Sequence, residues 1–310
     1  MSRILGFAFP GQGSQSPGML SEQFSKSKEV NQVFDISQEV LGIDFKKLIQ
    51  EGSAEDLSPT QITQPLLLTA NQALWKALNI KPETVDLMAG HSLGEYSAYV
   101  AAESITFEEA LELVSLRAKY MQDAVPEGKG GIAAIIGLSQ DQLMSICNQI
   151  TDSGQLVSMA NLNSENQVVI SGTKEGVDKA IESCKESGAK RAIPLAMSVP
   201  SHCKLMTPAS QKFSLELDKI NLLPPKTKVI QNFSVAHSDD VQTIKNNLVS
   251  QLYTPVRWFE TMDYFIDAKI TEFYECGPSK VLTGLIKRKF DKVELNSLDN
   301  YETFNLVKGK

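Results

Sequence analysis

The chain of 310 residues carries only four cysteines and three histidines. Cys147, Cys184, Cys203 and Cys276 are scattered, with no C-x-x-C pair. That spacing argues against a disulfide scaffold or a zinc knuckle and suits a reduced, cytoplasmic setting. There is no H-E-x-x-H and no cluster of carboxylates, so no metal site is expected. No apolar run approaches the ~20 residues of a membrane helix. The opening residues, broken at Pro10, are too short for a signal peptide. Basic residues are outnumbered, 30 Lys and Arg against 37 Asp and Glu, for a formal net charge of −7. This argues against non-specific nucleic-acid binding; an anionic partner must meet a local basic patch. Internal repeats and low-complexity segments are also missing. What remains is ordinary globular material, 42% hydrophobic and 22% charged, enough for one large domain or a large one with an insertion.

The most pointed stretch is Leu87-Met88-Ala89-Gly90-His91-Ser92-Leu93-Gly94-Glu95-Tyr96. The apolar run reads as a buried strand to Gly90, and residues 95–102 read as a helix. Between them stands G-x-S-x-G at a strand-to-helix turn, with Ser92 at the apex. The two glycines would let strand and helix approach closely. The helix would aim free backbone N–H groups at the serine. A nucleophilic serine is one reading, and a glycine-bounded structural turn is the other.

Along the rest of the chain, residues 4–9 read as a strand running into Pro10-Gly11-Gln12-Gly13-Ser14-Gln15. The Lys-Ser/Thr of a phosphate loop is missing, so this is either a plain turn or a loop beside the serine, with Gln12 as a donor. Helices are expected over 19–42 and 63–79. Thr106 and Glu109 form a capping box for a helix to about residue 122. Its apolar stripe, Ala110, Leu113, Val114 and Met121, also contains Arg117. A buried guanidinium needs a partner, either an internal carboxylate or a substrate carboxylate matched to its planar fork.

From 128 to 197 the pattern reads β-α-β-β-α-β, the ferredoxin-like order, bounded by Pro126-Glu127-Gly128 and Ser198-Val199-Pro200. The expected organisation is therefore a body of 1–127 and 198–310 with a subdomain of 128–197 and a cleft between them. Of the three histidines, His202 at the second boundary is the best candidate base, although a lone histidine is often structural. His91 should leave its strand opposite to Ser92, and His237 reads as a solvated loop residue. Cys203 raises a Cys–His pair, but adjacent positions rarely face each other. Helices follow at 206–220 and 240–252, another from Trp258, strands at 229–231 and 271–275, and a helix at 279–290. That last helix carries Lys280, Lys287, Arg288 and Lys289.

Four stretches taken together carry a resemblance: Phe9-Pro10-Gly11-Gln12-Gly13-Ser14-Gln15, Gly90-His91-Ser92-Leu93-Gly94-Glu95-Tyr96, the helix with Arg117, and Val199-Pro200-Ser201-His202. They resemble the malonyl-CoA:acyl carrier protein transacylases. The likeness continues through Asn161-Leu162-Asn163-Ser164, Gln251-Leu252-Tyr253-Thr254-Pro255-Val256 and Tyr274-Glu275-Cys276-Gly277-Pro278, where Cys276 stands at a variable position. It implies an α/β-hydrolase-like body with a ferredoxin-like insertion. It also implies that Ser92 is malonylated, that His202 is base and then acid, and that the N–H groups of Leu93 and Gln12 form the oxyanion hole. Arg117 would grip the malonyl carboxylate, and the Gln251 carbonyl would orient His202.

The reaction so implied moves malonyl from malonyl-CoA to the pantetheine thiol of acyl carrier protein, supplying fatty acid synthesis in a ping-pong exchange without metal or cofactor. A monomer is the expected state. Both partners are acidic, so Lys190-Arg191 and Lys287-Arg288-Lys289 are the patches that would receive them. The rivals are a serine esterase or thioesterase, for which a buried Arg117 has no use, a stand-alone acyltransferase of a polyketide pathway, and a catalytically silent docking module.

Overall fold

The computed structural model describes residues 3–196, 199–287, 289–290 and 293–308. Met197 and Ser198 at the expected second junction, and Arg288 of the basic helix, lie outside the described residues.

Five strands form a parallel sheet: β1 (Leu5–Phe9), β2 (Leu87–Gly90), β7 (Lys228–Ile230), β8 (Glu272–Glu275) and β9 (Glu294–Ser297), in the order β7-β2-β1-β8-β9. Helices cover both faces, as a parallel sheet requires. Along β1 the side chains alternate: Leu5, Phe7 and Phe9 join the larger core, while Ala8 joins a second core around Trp258, Phe265 and Phe273. The larger core takes the helices Lys28–Leu41, Thr60–Leu78, Phe107–Ala124 and Thr207–Lys219.

Four strands form a separate antiparallel sheet: β3 (Gly130–Ile136), β4 (Val157–Ser164), β5 (Gln167–Thr173) and β6 (Arg191–Pro194), in the order β4-β5-β3-β6. With the helices Gln140–Asp152 and Lys174–Glu186 this is the ferredoxin-like arrangement. One face packs its own helices through Ile135, Val168 and Ile170. The other face presents Ile132, Ala160 and Val169, with Leu195 beside them. The β4 edge is tied to the parallel sheet's side of the molecule: Leu162 N donates to Val256 O at 2.9 Å, and Val256 N donates to Ala160 O at 2.8 Å.

Both capping boxes form, Thr106 with Glu109 and Ser139 with Gln142. The expected helix over 19–42 is two, Ser21–Lys26 and Lys28–Leu41, because Ser27 is extended and caps the second. The helix expected over 63–79 starts earlier, Thr60–Leu78, and ends at Asn79 in the left-handed region. The basic C-terminal helix is shorter than expected, Val281–Ile286. β9 pairs only with β8 at the sheet edge; its sequence, Glu-Leu-Asn-Ser, carries little apolar signal.

Register places the site. Phe9 pairs with Gly90, and Ala89 with Ile230. The chain therefore leaves β1, β2 and β7 at one edge, with Gln12, Ser92 and Asn232 each two or three residues further on. That edge is the carboxyl end of the strands, where open α/β sheets hold their ligands.

Candidate active site

The turn at Ser92 is as tight as its glycines imply. A Cβ at Gly90 would lie 1.8 Å from the Gly94 carbonyl carbon, and one at Gly94 would lie 1.9 Å from Phe9 O. Neither position accepts another residue without moving backbone. Ser92 has φ of 52°, the left-handed region that non-glycine residues enter only under constraint. Its constraint is visible: Ser92 N donates to Asn232 Oδ1 at 2.8 Å, while Asn232 Nδ2 donates to Gly90 O at 2.7 Å.

His202 is 2% exposed and also left-handed, with φ of 61°. Its Nε2 lies 2.7 Å from Ser92 Oγ, and its Nδ1 lies 2.7 Å from Gln251 O. A carbonyl can only accept, so Nδ1 carries the proton and Nε2 presents its lone pair to the serine hydroxyl. Burial, and then the nearby Arg117 cation, push the His202 pKa down to about 3. The resting ring is neutral. It can therefore take the Ser92 proton. No carboxylate is needed to fix the tautomer.

Arg117 is 1% exposed. Nη1 donates to Gln64 Oε1 at 2.5 Å, and Nη2 donates to Gln251 Oε1 at 2.9 Å and reaches Ser92 Oγ at 3.4 Å. The Tyr96 ring lies 5.3 Å from its Cζ. The internal carboxylate left open as a partner is not in contact: among the described residues Arg117 forms no ion pair. Neutral amides hold the guanidinium instead, and burial lowers its pKa. The guanidinium thus lies 3.4 Å from the serine hydroxyl with neutral hydrogen-bond partners.

Ser92, His202 and Arg117 line one cavity of about 360 Å³. Gly11 and Gln12 lie beside the serine turn, since a Cβ on Gly11 would sit 2.3 Å from His91 O. The backbone N–H groups of Gln12 and Leu93 have no acceptor among the described residues, and both residues line the cavity. The antiparallel sheet supplies the opposite wall through Ile132, Asn163, Val169 and Leu195, and the helix Val281–Ile286 adds Val281 and Leu285. No group of side chains suited to a metal occurs among the described residues.

Several features went unread in the sequence. His91, expected to leave on the other side from Ser92, lines the same cavity, with Nε2 2.8 Å from Asn163 Oδ1 and its ring edge-on to Trp258. The alternation rule fails because Ser92 is left-handed, not extended. His237 is exposed and touches Tyr264 Oη at 3.1 Å, as a solvated loop residue would. Cys203 is buried, its Sγ donating to Pro200 O, and burial raises its pKa. Gln64 and Asn232 are amides in ordinary contexts with no sequence signal, and Asn163 and Gln251 lie in stretches of the resemblance that assign no role to their side chains. Glu95 had one: it is the one charged residue of the helix Gly94–Ala101, and it is fully buried.

Among the basic residues, Lys190, Arg191 and Lys287 are exposed. Lys289 is not free for a partner, because it pairs with Asp263 at 2.7 Å and donates to Phe259 O at 2.9 Å.

Residues 6–305 match the model of the acyl transferase domain family. The chain is 47% identical over 294 residues to the malonyl CoA-acyl carrier protein transacylase of Salmonella typhimurium, covering 94% of this chain and 95% of that one. The solved malonyl CoA-acyl carrier protein transacylase of Coxiella burnetii superposes with a TM-score of 0.95 at 44% identity, over 99% of this chain and 98% of the other. A malonyl-transacylase solved in complex with a type II PKS acyl-carrier protein matches with a TM-score of 0.95 at 43% identity, over 98% and 99%. With a neutral histidine on a strained serine and a buried arginine beside them, the chain belongs to the acyl transferase domain family and, within it, to the malonyl CoA-acyl carrier protein transacylases.

Proposed function

We propose that this protein transfers the malonyl group of malonyl-CoA to the pantetheine thiol of an acyl carrier protein through a malonyl ester on Ser92, supplying fatty acid synthesis. The observation that carries the reading is Arg117 Nη2 at 3.4 Å from Ser92 Oγ, itself 2.7 Å from His202 Nε2. A nucleophile, its base and an anion receptor thus converge on one atom.

Ser92 Oγ attacks the thioester carbonyl as His202 Nε2 takes its proton, and the imidazolium is held through Nδ1 by Gln251 O. The tetrahedral oxyanion is received by the N–H groups of Gln12 and Leu93, each such donor being typically worth ~2.7–4 kcal/mol. His202 returns the proton to the CoA sulfur as it leaves. The carrier thiol then repeats the steps in reverse, so the same base serves both halves. Arg117 holds the malonyl carboxylate throughout. That pairing also relieves the repulsion with which Arg117 opposes a charged His202, so the substrate makes its own base stronger.

In this reading residues 1–127 and 198–310 form the catalytic body and 128–197 the subdomain that closes the cavity. The exposed Lys190, Arg191 and Lys287, with Arg288, receive the acidic carrier and CoA. The enzyme acts as a cytoplasmic monomer with no metal or further cofactor. No described helix is long and apolar enough to cross a membrane. The test is intact-mass measurement after mixing with malonyl-CoA. A malonyl adduct should map to Ser92 and disappear on adding carrier bearing its pantetheine arm. Adduct formation elsewhere, or discharge to water at an equal rate without the carrier, would reject the reading.

A further inference from the structure

Glu95 follows the nucleophile by three residues and is 0% exposed. Its Oε2 accepts from Gln251 Nε2 at 2.8 Å and from Asn232 N at 3.1 Å. Its Oε1 has no donor among the described residues. The same Gln251 amide accepts from Arg117 Nη2 through Oε1 at 2.9 Å and donates to Ser92 O at 2.9 Å. One side-chain amide therefore separates the buried carboxylate from the buried cation. The Glu95 carboxyl and the Arg117 guanidinium do not touch each other.

The surroundings leave Arg117 as the charge that acts on Glu95. The helix Gly94–Ala101 packs on the helices Thr60–Leu78 and Phe107–Ala124 and on β1, β2 and β7. From its own helix, Tyr96 and Tyr99 are kept neutral by burial. Lys76 and Lys228 are exposed, Glu109 caps its own helix, and His202 is neutral. Lys245 on the helix Val241–Gln251 reaches to Ile220 O. Arriving malonyl would place a second negative charge beside Arg117, leaving the buried set at net −1.

We propose that Glu95 is a proton acceptor coupled to the acyl-carboxylate clamp: as a carboxylate it balances Arg117 across the Gln251 amide, and it takes up one proton from solvent when the malonyl carboxylate pairs with Arg117. This rests on Arg117 being that clamp. Malonyl-CoA and the Ser92 hydroxyl give the malonyl ester and CoA thiol with no net proton change while the thiol stays protonated. One further proton comes from the buffer, converts the Glu95 carboxylate to the neutral acid, and restores net zero charge. Burial alone lifts Glu95 to about 7 before any second carboxylate arrives. Uptake is then about half a proton per site near pH 7, approaches one near pH 8, and vanishes near pH 5, where Glu95 is neutral in both states.

The measurement is proton uptake per Ser92 adduct, from malonylation heats in buffers of different ionisation enthalpy between pH 5 and 8. Mass spectrometry counts the adduct in the same samples. Uptake should be present in the native protein and lost in Glu95→Gln, which releases the same CoA thiol and keeps an acceptor for Gln251 and Asn232. In the native protein a protonated-carboxyl infrared band should also appear on malonylation; this arm decides the matter if the variant does not fold. Adduct formation at Ser92 with no uptake and no new band would overturn the proposal, as would uptake that persists in Glu95→Gln. The clamp itself fails on a different result, Arg117→Ala transferring malonyl as well as the parent.

Discussion

The two sheets that face each other across the cavity contribute unlike things. The parallel sheet delivers Gln12, Ser92 and Asn232 from adjacent strand ends at one edge, while His202 follows β6 and Arg117 comes from the helix Phe107–Ala124. The antiparallel sheet delivers a wall of Ile132, Ala134 and Val169 with the amides Asn161, Asn163 and Gln167, of which Asn163 reaches His91. The serine turn and the loops that hold it sit at the ends of the buried parallel strands. The wall that must fit an acyl chain and its arm is carried by a unit with a separate core. Substitutions on the body side should therefore strike turnover, and those on the opposite wall should strike substrate affinity.

The largest effect is expected where the body is most constrained. Ser92→Ala and His202→Ala should each lower turnover by orders of magnitude, and the double variant should be scarcely worse than either, because the two act as one unit. Single-turnover transfer rates check this; losses that multiply would separate the pair and reopen the choice of base.

Next comes Arg117→Ala. It removes the partner of a desolvated carboxylate, typically ~3–5 kcal/mol, or roughly two to four decades in malonyl kcat/KM at ~1.36 kcal/mol per decade. Acetyl-CoA, with no carboxylate, should be used as well as by the parent or better. The variant also strands Gln64 Oε1 and Gln251 Oε1, so its Tm should fall modestly, at ~1–3 kcal/mol per unsatisfied group. Parallel loss of both acyl activities would mark Arg117 as a structural residue instead.

A smaller change should come from the opposite wall. Asn163→Ala leaves His91 Nε2 without its 2.8 Å partner, an interaction on the order of 1 kcal/mol. The expected result is a several-fold rise in KM with kcat nearly unchanged. A drop in kcat alone would mean that His91 takes part in the chemistry and would erase the contrast between the two walls.

The smallest effect belongs to the exposed cations. Charge reversal at Lys190 or Lys287 should raise the KM for the carrier a few-fold, leave that for malonyl-CoA nearly alone, and fade with added salt. Equal shifts for both substrates would assign the patch to the CoA phosphates.

The sequence by itself determined which residues could be chemical and which segments could be strand or helix. Gly90 and Gly94 announced the turn because no other side chain fits there, and Arg117 announced itself by interrupting an apolar stripe. The insertion was legible because its strands and helices follow local periodicity and each helix begins at a capping residue. Glu95 was equally legible by the Arg117 rule, a charge on a buried helix face, and was overlooked. Only the tertiary structure decided who meets whom. The Gln251 carbonyl on His202, its amide between Glu95 and Arg117, and Asn232 beneath Ser92 join residues 49 to 159 positions apart. Amides at such separations leave no periodic trace. Their value comes from strand register and from a buried setting, where an unpaired polar group is costly and each partner is therefore fixed.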